Sequence, residues 1–168
     1  MKILYICTHN RCRSILSEAI TNDFSVGKDG KDGKDGKDGK IVAKSAGSQP
    51  AGEVHPLSIQ YLQEANISTD GLCSQSWDEF EAFEPDLVVT VCDSAAGESC
   101  PVWFSHSLKV HWGLVDPSKL QGSEAHIAEA FRATIEQVKQ RVYQLVNLDV
   151  DVKDKVAFKK ALANLGAV

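Results

Sequence analysis

The segment from residue 2 to residue 20, KILYICTHNRCRSILSEAI, decides the fold because it joins two different hydrophobic patterns through one polar loop. Lys2–Ile6 is a short β-branched and aromatic run, which predicts a strand. Residues 14–20 carry apolar side chains at helical spacing, and Phe24 continues the same face. A strand, a tight loop over residues 7–13 and a helix form the opening of a nucleotide-sized α/β unit.

The rest of the chain repeats this alternation of strands and helices. Apolar runs predict strands at 41–43, 87–91 and 108–112, and a turn-rich loop is expected at 45–50. Helical patterns cover 56–65, 77–83 and a long final helix, whose apolar face is Ile127, Phe131, Ile135, Val138, Val142 and Leu145. This order predicts an α/β fold, a small doubly wound four-stranded parallel sheet with helices on both faces.

Length and composition limit the classes of function. The 168 residues, 18.3 kDa, suit a single domain over 1–168, with a C-terminal extension of weak helical pattern from about residue 149. The 18 Lys and Arg against 23 Asp and Glu give no basic surface for nucleic acid. No apolar run is long enough to span a membrane, so the cytoplasm is the expected location. Residues 27–40, which contain four Lys-Asp-Gly units, are expected to be a flexible insertion.

Ligands of doubly wound folds bind beyond the carboxyl ends of the strands, so three loops are candidates for the site. In the first, Cys7 ends a strand and Arg13 opens a helix six positions later. The intervening N–H groups, the helix N-terminus and the Arg13 guanidinium can hold a tetrahedral oxyanion. The predicted substrate-binding residues are therefore Thr8, His9, Asn10, Arg11, Cys12, Arg13 and Ser14. The same positive field favours a Cys7 thiolate with a pKa of roughly 3.5–7.5.

Two residues of this loop have more specific expected roles. Ser14 can donate a hydrogen bond to the Cys7 thiolate, and the short amide of Asn10 can hold the backbone of the loop. The alternative for Cys7 is an inert buried thiol. Cys12 could trap Cys7 in a protective disulfide or simply fill space in the loop, and both alternatives stay open.

The other two loops can supply an acid and a second thiol. Asp116, in an Asp-Pro sequence that could also be only a turn, can protonate a departing oxygen. Cys92 ends its strand beside the first loop, and seven residues that could form a mobile lid separate it from Cys100. Because no Cys-x2-Cys pair is present, a redox role for these thiols is favoured over zinc, and no metal or cofactor is predicted.

Together these residues resemble an arsenate reductase of the low-molecular-weight protein tyrosine phosphatase superfamily. The resemblance covers nearly all of residues 1–146 apart from the insertion. It is carried by Cys7-Thr8-His9-Asn10-Arg11-Cys12-Arg13-Ser14, Ser45-Ala46-Gly47-Ser48, Val91-Cys92-Asp93 with Cys100-Pro101, and His111-Trp112-Gly113 with Asp116-Pro117. Ser118-Lys119 stand where the phosphatases of the family have aromatic residues, and those phosphatases also lack a redox pair matching Cys92 and Cys100.

The resemblance implies a mechanism for arsenic detoxification. Cys7 attacks arsenic while Arg13 and the loop amides hold the oxygens, and Asp116 protonates the leaving oxygen. Cys92 then attacks Cys7 and releases arsenite, and Cys100 takes over the disulfide. An external thiol reductant, either thioredoxin or glutathione with glutaredoxin, would restore the thiols. The alternatives are a low-molecular-weight protein tyrosine phosphatase, which needs only Cys7, Arg13 and Asp116, and a non-catalytic oxyanion or thiol sensor.

Overall fold

A four-stranded parallel sheet forms the centre of the protein. The computed structural model describes residues 1–26 and 41–165, so the predicted flexible insertion 27–40 lies outside the described residues. The strands are β1 (Lys2–Ile6), β2 (Val42–Ala46), β3 (Leu87–Thr90) and β4 (Leu108–His111), in the order β2-β1-β3-β4. All neighbouring pairs run parallel, which confirms the predicted sheet.

Within the described residues, five α-helices and three short 3₁₀ helices connect and follow the strands. The α-helices are α1 (Arg13–Val26), α2 (Pro56–Glu64), α3 (Asp93–Gly97), α4 (Glu124–Val146) and α5 (Lys155–Leu165). The 3₁₀ helices are Trp77–Phe83, Val102–His106 and Pro117–Lys119. The helical patterns noted in the sequence therefore correspond to real elements, including the weak pattern of the tail.

Both faces of the sheet are covered, as the side chains of residues 3–6 in the central strand β1 show: each is at most 1% exposed. On one face, the Tyr5 hydroxyl lies 2.8 Å from Thr21 Oγ1 of α1. On the other face, the ammonium of Lys2 lies 5.8 Å from the centre of the Phe83 ring. This burial explains why β1 and β3 are continuous apolar runs rather than alternating ones.

Two segments differ from the prediction. Strand β2 continues through Ser45 and Ala46, which were expected to begin a loop, because these residues pair with Tyr5 and Ile6 of β1 and are buried. The residues after β3 were expected to form a lid, but they begin with the short helix α3. Cys92 caps this helix, since its sulfur accepts a hydrogen bond from the Ala95 amide at 3.4 Å.

The C-terminal helix α5 packs against the body of the protein. Phe158 and Leu162 are 1% and 4% exposed, and the Lys155 ammonium donates a 2.9 Å hydrogen bond to the His106 carbonyl. The C-terminal extension therefore contains a helix, described up to residue 165, that packs on the rest of the protein. Over the described parts of the chain, none of the helices has the length and apolar character needed to cross a membrane.

Candidate functional site

A cavity of about 200 Å³ opens beyond the carboxyl ends of β1 and β3. All three candidate loops contribute to its wall, as the topology predicted. Its lining residues are Cys7, Thr8, His9, Arg11, Cys12, Arg13, His55, Cys92, Ser94, Asp116, Ser118 and Lys119. The structure therefore brings together four of the five predicted catalytic residues, while Cys100 is not part of the lining.

Asn10 and Ser14 belong to the first candidate loop, residues 7–14, called here the anion loop, but neither side chain lines the cavity. Both are fully buried, and Asn10 adopts a left-handed conformation with φ of 44°. The Asn10 amide donates 2.9 Å hydrogen bonds to Ser14 Oγ and Ser45 Oγ, and its oxygen accepts one from the Gln75 amide at 2.8 Å. Asn10 therefore ties the loop to Ser14, Ser45 and Gln75 rather than to the loop's own backbone, and among the described residues Ser14 shows a hydrogen bond with Asn10 but none with Cys7.

The buried carboxyl of Glu18 extends this support. Its Oε2 accepts a 2.6 Å hydrogen bond from Ser45 Oγ, and the Lys44 ammonium lies 3.9 Å from its Oε1. Burial raises the pKa of Glu18, and the hydrogen bond from Ser45 and the charge of Lys44 only partly oppose this shift. Sequence reasoning missed this role, since the position of Glu18 in a helical pattern does not reveal what packs against it.

Gly47 allows β2 to approach the anion loop closely. A Cβ atom at this position would lie 2.5 Å from the Thr8 carbonyl oxygen and 2.7 Å from the Cys7 carbonyl oxygen. Both of these atoms belong to the backbone and cannot rotate away. A glycine is therefore needed at position 47 because any side chain would clash with these oxygens, and not because the backbone has an unusual φ angle.

Arg13 points its guanidinium into the cavity and is already paired with the candidate acid. Its Nη2 lies 3.0 Å from Asp116 Oδ2, and its Nη1 donates to the Leu114 carbonyl at 2.9 Å. The buried Arg13 Nε has no hydrogen-bond partner among the described residues. Asp116 Oδ1 accepts hydrogen bonds from the amide and hydroxyl of Ser118 at 3.0 and 2.6 Å. The guanidinium is thus fixed in place, and its Nε donor is among those left for a ligand.

Cys7 and Cys92 both line the cavity, and each thiol shifts the pKa of the other. The neighbouring Cys7 thiol, the Thr8 and Ala95 amides and the Thr8 hydroxyl stabilise the Cys92 thiolate, so the pKa of Cys92 falls to about 5 although burial acts against this shift. The pKa of Cys7 is raised by the neighbouring Cys92 thiol and by burial, although the charge of Arg13 acts in the opposite direction. This direction is opposite to the lowering expected from the loop alone, because that expectation did not include Cys92 as a neighbour.

The remaining cysteines differ in their surroundings, and all five are present as free thiols. Burial raises the pKa of Cys12 to about 11, although hydrogen bonds with Ser58 and Ser118 act against this shift. Cys100 is half-buried, and its sulfur lies 4.0 Å from the Glu98 carbonyl oxygen. Cys73 is exposed in a loop.

Four lining residues were not predicted from the sequence: His55, Ser94, Ser118 and Lys119. His55 caps α2, because its Nδ1 accepts a 3.2 Å hydrogen bond from the Leu57 amide. Burial and the nearby charge of Arg11 lower the pKa of His55. Its position immediately before Pro56 was a signal for a capping residue, but the loop that packs against it could not be inferred from that position.

The charges and donors at the cavity suit an anion better than a metal ion. Arg11, Arg13 and Lys119 line it, together with loop amides. No group of three or more His, Cys, Asp or Glu side chains that could hold a metal occurs in residues 1–26 and 41–165. A buried thiol pair below an oxyanion cradle can form a covalent bond with a bound anion and can also form a disulfide.

Comparison with known proteins places these features in a family. The family model for low molecular weight phosphotyrosine protein phosphatases matches residues 2–158. A glutaredoxin arsenate reductase from Synechocystis is 28% identical over 86% of this chain and 95% of its own. An arsenate reductase from Staphylococcus xylosus is 32% identical over 83% of this chain and 96% of its own.

A solved structure described as an arsenate reductase in the phosphate binding state is 28% identical to this chain. The match covers 86% of this chain and 95% of that chain, with a TM-score of 0.65. The fold, the position of the cavity and the sequence similarity agree, and on these findings the chain belongs to the low molecular weight phosphotyrosine protein phosphatase family.

Proposed function

We propose that this protein reduces arsenate to arsenite, with Cys7 as nucleophile and Cys92 and Cys100 as a disulfide relay. The observation that carries the proposal is that the Cys7 and Cys92 thiols line one cavity together with Arg13 and Asp116. The similarity to proteins named arsenate reductase, over more than four fifths of this chain, supports the same activity. A phosphatase would need only one of the two thiols.

Binding places arsenate between the loop amides and the Arg13 guanidinium, whose Nε is still available as a donor. In the first step the proton of Cys7 passes to the Cys92 sulfur, and Cys7 Sγ attacks arsenic. A sulfur–arsenic bond forms and an arsenate oxygen leaves as water, after Asp116 has supplied a proton as general acid. Thr8, His9, Arg11 and Cys12, which line the cavity, complete the binding site.

Reduction occurs when the Cys92 sulfur attacks Cys7 Sγ. A Cys7–Cys92 disulfide forms, the sulfur–arsenic bond breaks with its electron pair remaining on arsenic, and the Cys92 proton leaves with arsenite. Two thiols are oxidised and As(V) becomes As(III). Cys100 then attacks Cys92 and frees Cys7. An external thiol system, thioredoxin or glutathione with glutaredoxin, reduces the resulting disulfide.

Arsenite release can be measured with thioredoxin and glutaredoxin systems supplied separately, on single Cys→Ser variants. Cys7→Ser is expected to abolish turnover, and Cys92→Ser to abolish turnover while arsenate still binds. Cys73→Ser changes an exposed thiol outside the cavity, so it serves as the matched control and should retain full activity. The outcome that would identify a phosphatase instead has two parts. The wild-type protein forms no arsenite, and the wild-type protein and Cys92→Ser hydrolyse an aryl phosphate at the same rate.

A further inference from the structure

Arg11 is a residue of the cavity that the proposed function uses only as part of the lining. It belongs to the anion loop and lies two positions before Arg13. Its backbone is held in place, because its carbonyl oxygen accepts a 2.9 Å hydrogen bond from the His55 amide. Within the described part of the chain, the buried Arg11 Nε has no hydrogen-bond partner. A buried N–H group without a partner is unfavourable, so this guanidinium is suited to a ligand that accepts hydrogen bonds.

The positive charge of Arg11 is only weakly neutralised. Its Nη2 lies 3.9 Å from Glu53 Oε1, and the Glu53 side chain is 77% exposed, so water screens this pair. The charge reaches the cavity wall, because burial and then the charge of Arg11 lower the pKa of His55, which also lines the cavity. Arg13, by contrast, lies 3.0 Å from Asp116, and both of these side chains are largely buried. Arg11 therefore keeps more of its charge for a ligand than Arg13 does.

The charges of the cavity lining show why a further cation is needed. Asp116 offsets the charge of Arg13, and the Cys92 thiolate adds a negative charge above about pH 5. The carboxylate and the thiolate both repel an entering oxyanion, and this repulsion grows with the charge of the oxyanion. Arg11 and Lys119 are the other arginine and lysine side chains among the described lining residues. Of these two, Arg11 has the planar fork that matches an oxyanion, whereas Lys119 carries a point charge on a flexible stem.

We propose that Arg11 is a specificity-determining residue, whose guanidinium binds the oxyanion directly and makes the cavity prefer doubly charged oxyanions to singly charged ones. The inference rests on the proposed function and deepens it, because it assigns a charge class to the substrate of the same cavity. Arsenate near neutral pH is a mixture of a monoanion and a dianion. The form that binds is then the dianion.

Sulfate and methanesulfonate are suitable probes, because both are small tetrahedral oxyanions and neither changes its charge near neutral pH. Sulfate is doubly charged and methanesulfonate singly charged. Isothermal titration calorimetry of the reduced protein measures the affinity for each anion. Arg11→Gln removes the guanidinium charge, so sulfate binding is expected to weaken about tenfold to hundredfold. Methanesulfonate binding should weaken only about threefold to tenfold, because the Coulomb energy is proportional to the charge of the anion.

A second variant separates the charge of Arg11 from its shape. Arg11→Lys keeps the charge and loses the planar guanidinium, so both affinities should fall while the preference for sulfate over methanesulfonate stays at the wild-type ratio. Arg132→Gln is the matched control, because it removes an exposed arginine that does not line the cavity. It should bind both anions with wild-type affinity. Urea denaturation checks that each variant is folded.

Four results would overturn the inference: wild-type affinity for sulfate in Arg11→Gln, an equal loss for both anions in that variant, wild-type affinities in Arg11→Lys, or the same losses in Arg132→Gln. None of these measurements uses arsenate. Failure of the proposed function would therefore appear separately, as wild-type protein that forms no arsenite but still distinguishes the two anions through Arg11.

Discussion

At Arg13, the planar guanidinium contacts the Leu114 carbonyl and Asp116, and its buried Nε has no partner among the described residues. Lysine carries the same charge but cannot make these contacts together, because its ammonium is a single point charge. Arg13→Lys is therefore expected to weaken binding of arsenate or phosphate about tenfold to hundredfold. Isothermal titration calorimetry of the anion measures this change.

Arg132 provides the matched control. It is an exposed arginine that forms a two-pronged pair with Glu64, at 2.6 and 3.1 Å, far from the cavity lining. Arg132→Lys should leave anion binding unchanged. An equal loss of binding in both variants would mean that the guanidinium of Arg13 has no specific role at the site.

The charge on Cys92 also depends on one neighbour, the thiol of Cys7. Because the interaction with this thiol is the largest cause of the lowered pKa of Cys92, Cys7→Ala is expected to raise that pKa from about 5 towards the ordinary value of 9.0. In the wild-type protein, alkylation of Cys92 should increase as the pH rises through about 5. An unchanged midpoint in Cys7→Ala would show that the thiol pair does not share its charge.

At the level of elements, the junction between β2 and the anion loop depends on Gly47. Gly47→Ala would force a methyl group against two backbone carbonyl oxygens, so the loop must move. We expect a loss of about 1–3 kcal/mol in the free energy of unfolding, together with reduced anion binding. Urea denaturation and calorimetry check both effects.

Gly97 in α3 is the corresponding control, because a Cβ atom there would meet nothing within 4 Å. Gly97→Ala should be neutral or stabilising by up to about 1 kcal/mol. Equal destabilisation by both substitutions would contradict the argument from close approach at Gly47.

The C-terminal helix α5 is a second element whose role can be tested. We propose that it belongs to the same single domain as the sheet, because Phe158 is 1% exposed against the rest of the core. Phe158→Ala is expected to cost about 3–5 kcal/mol of unfolding free energy. Val156, on the same helix, is 82% exposed, and Val156→Ala should change stability by less than about 0.5 kcal/mol. Similar values for the two variants would mean that α5 is not docked.

For the whole molecule, Glu18 links stability to pH. Its pKa is raised in the folded protein, so the folded state retains a proton that the unfolded chain, with the ordinary pKa of 4.5, has released. The free energy of unfolding contributed by this group is fully present below pH 4.5 and is lost as the pH rises through the folded pKa. In the wild-type protein the denaturation midpoint should therefore fall as the pH rises from about 5 to about 8. Glu18→Gln stays neutral, so the fall should be smaller in this variant.

Glu64→Gln is the control for this measurement. Glu64 is an exposed carboxylate whose pKa is lowered by the hydrogen bond from Arg132, so its stabilising contribution is lost only as the pH falls below its ordinary range. The decline between about pH 5 and about pH 8 should therefore persist in Glu64→Gln. A Glu18→Gln variant with the wild-type decline would exclude Glu18 as its source.

The sequence by itself determined the features that depend on near neighbours along the chain. The apolar runs of β1 and β3 and the apolar face of α4 carry their own periodicity, so their positions could be predicted. The spacing of Cys7 and Arg13 between a strand and a helix likewise predicted the anion loop, because backbone geometry limits how such a segment can turn.

Only the tertiary structure decided the features that depend on residues distant in sequence. Ser45 and Ala46 are strand residues because β1 pairs with them, although their local pattern favoured a loop. The Cys7–Cys92 pair holds its charge on Cys92, against the expectation from the loop alone, because the sulfur meets donors that lie 84 or 85 positions earlier in the chain. Strand pairing, burial and proton sharing arise from contacts that form only on folding, so no local pattern encodes them.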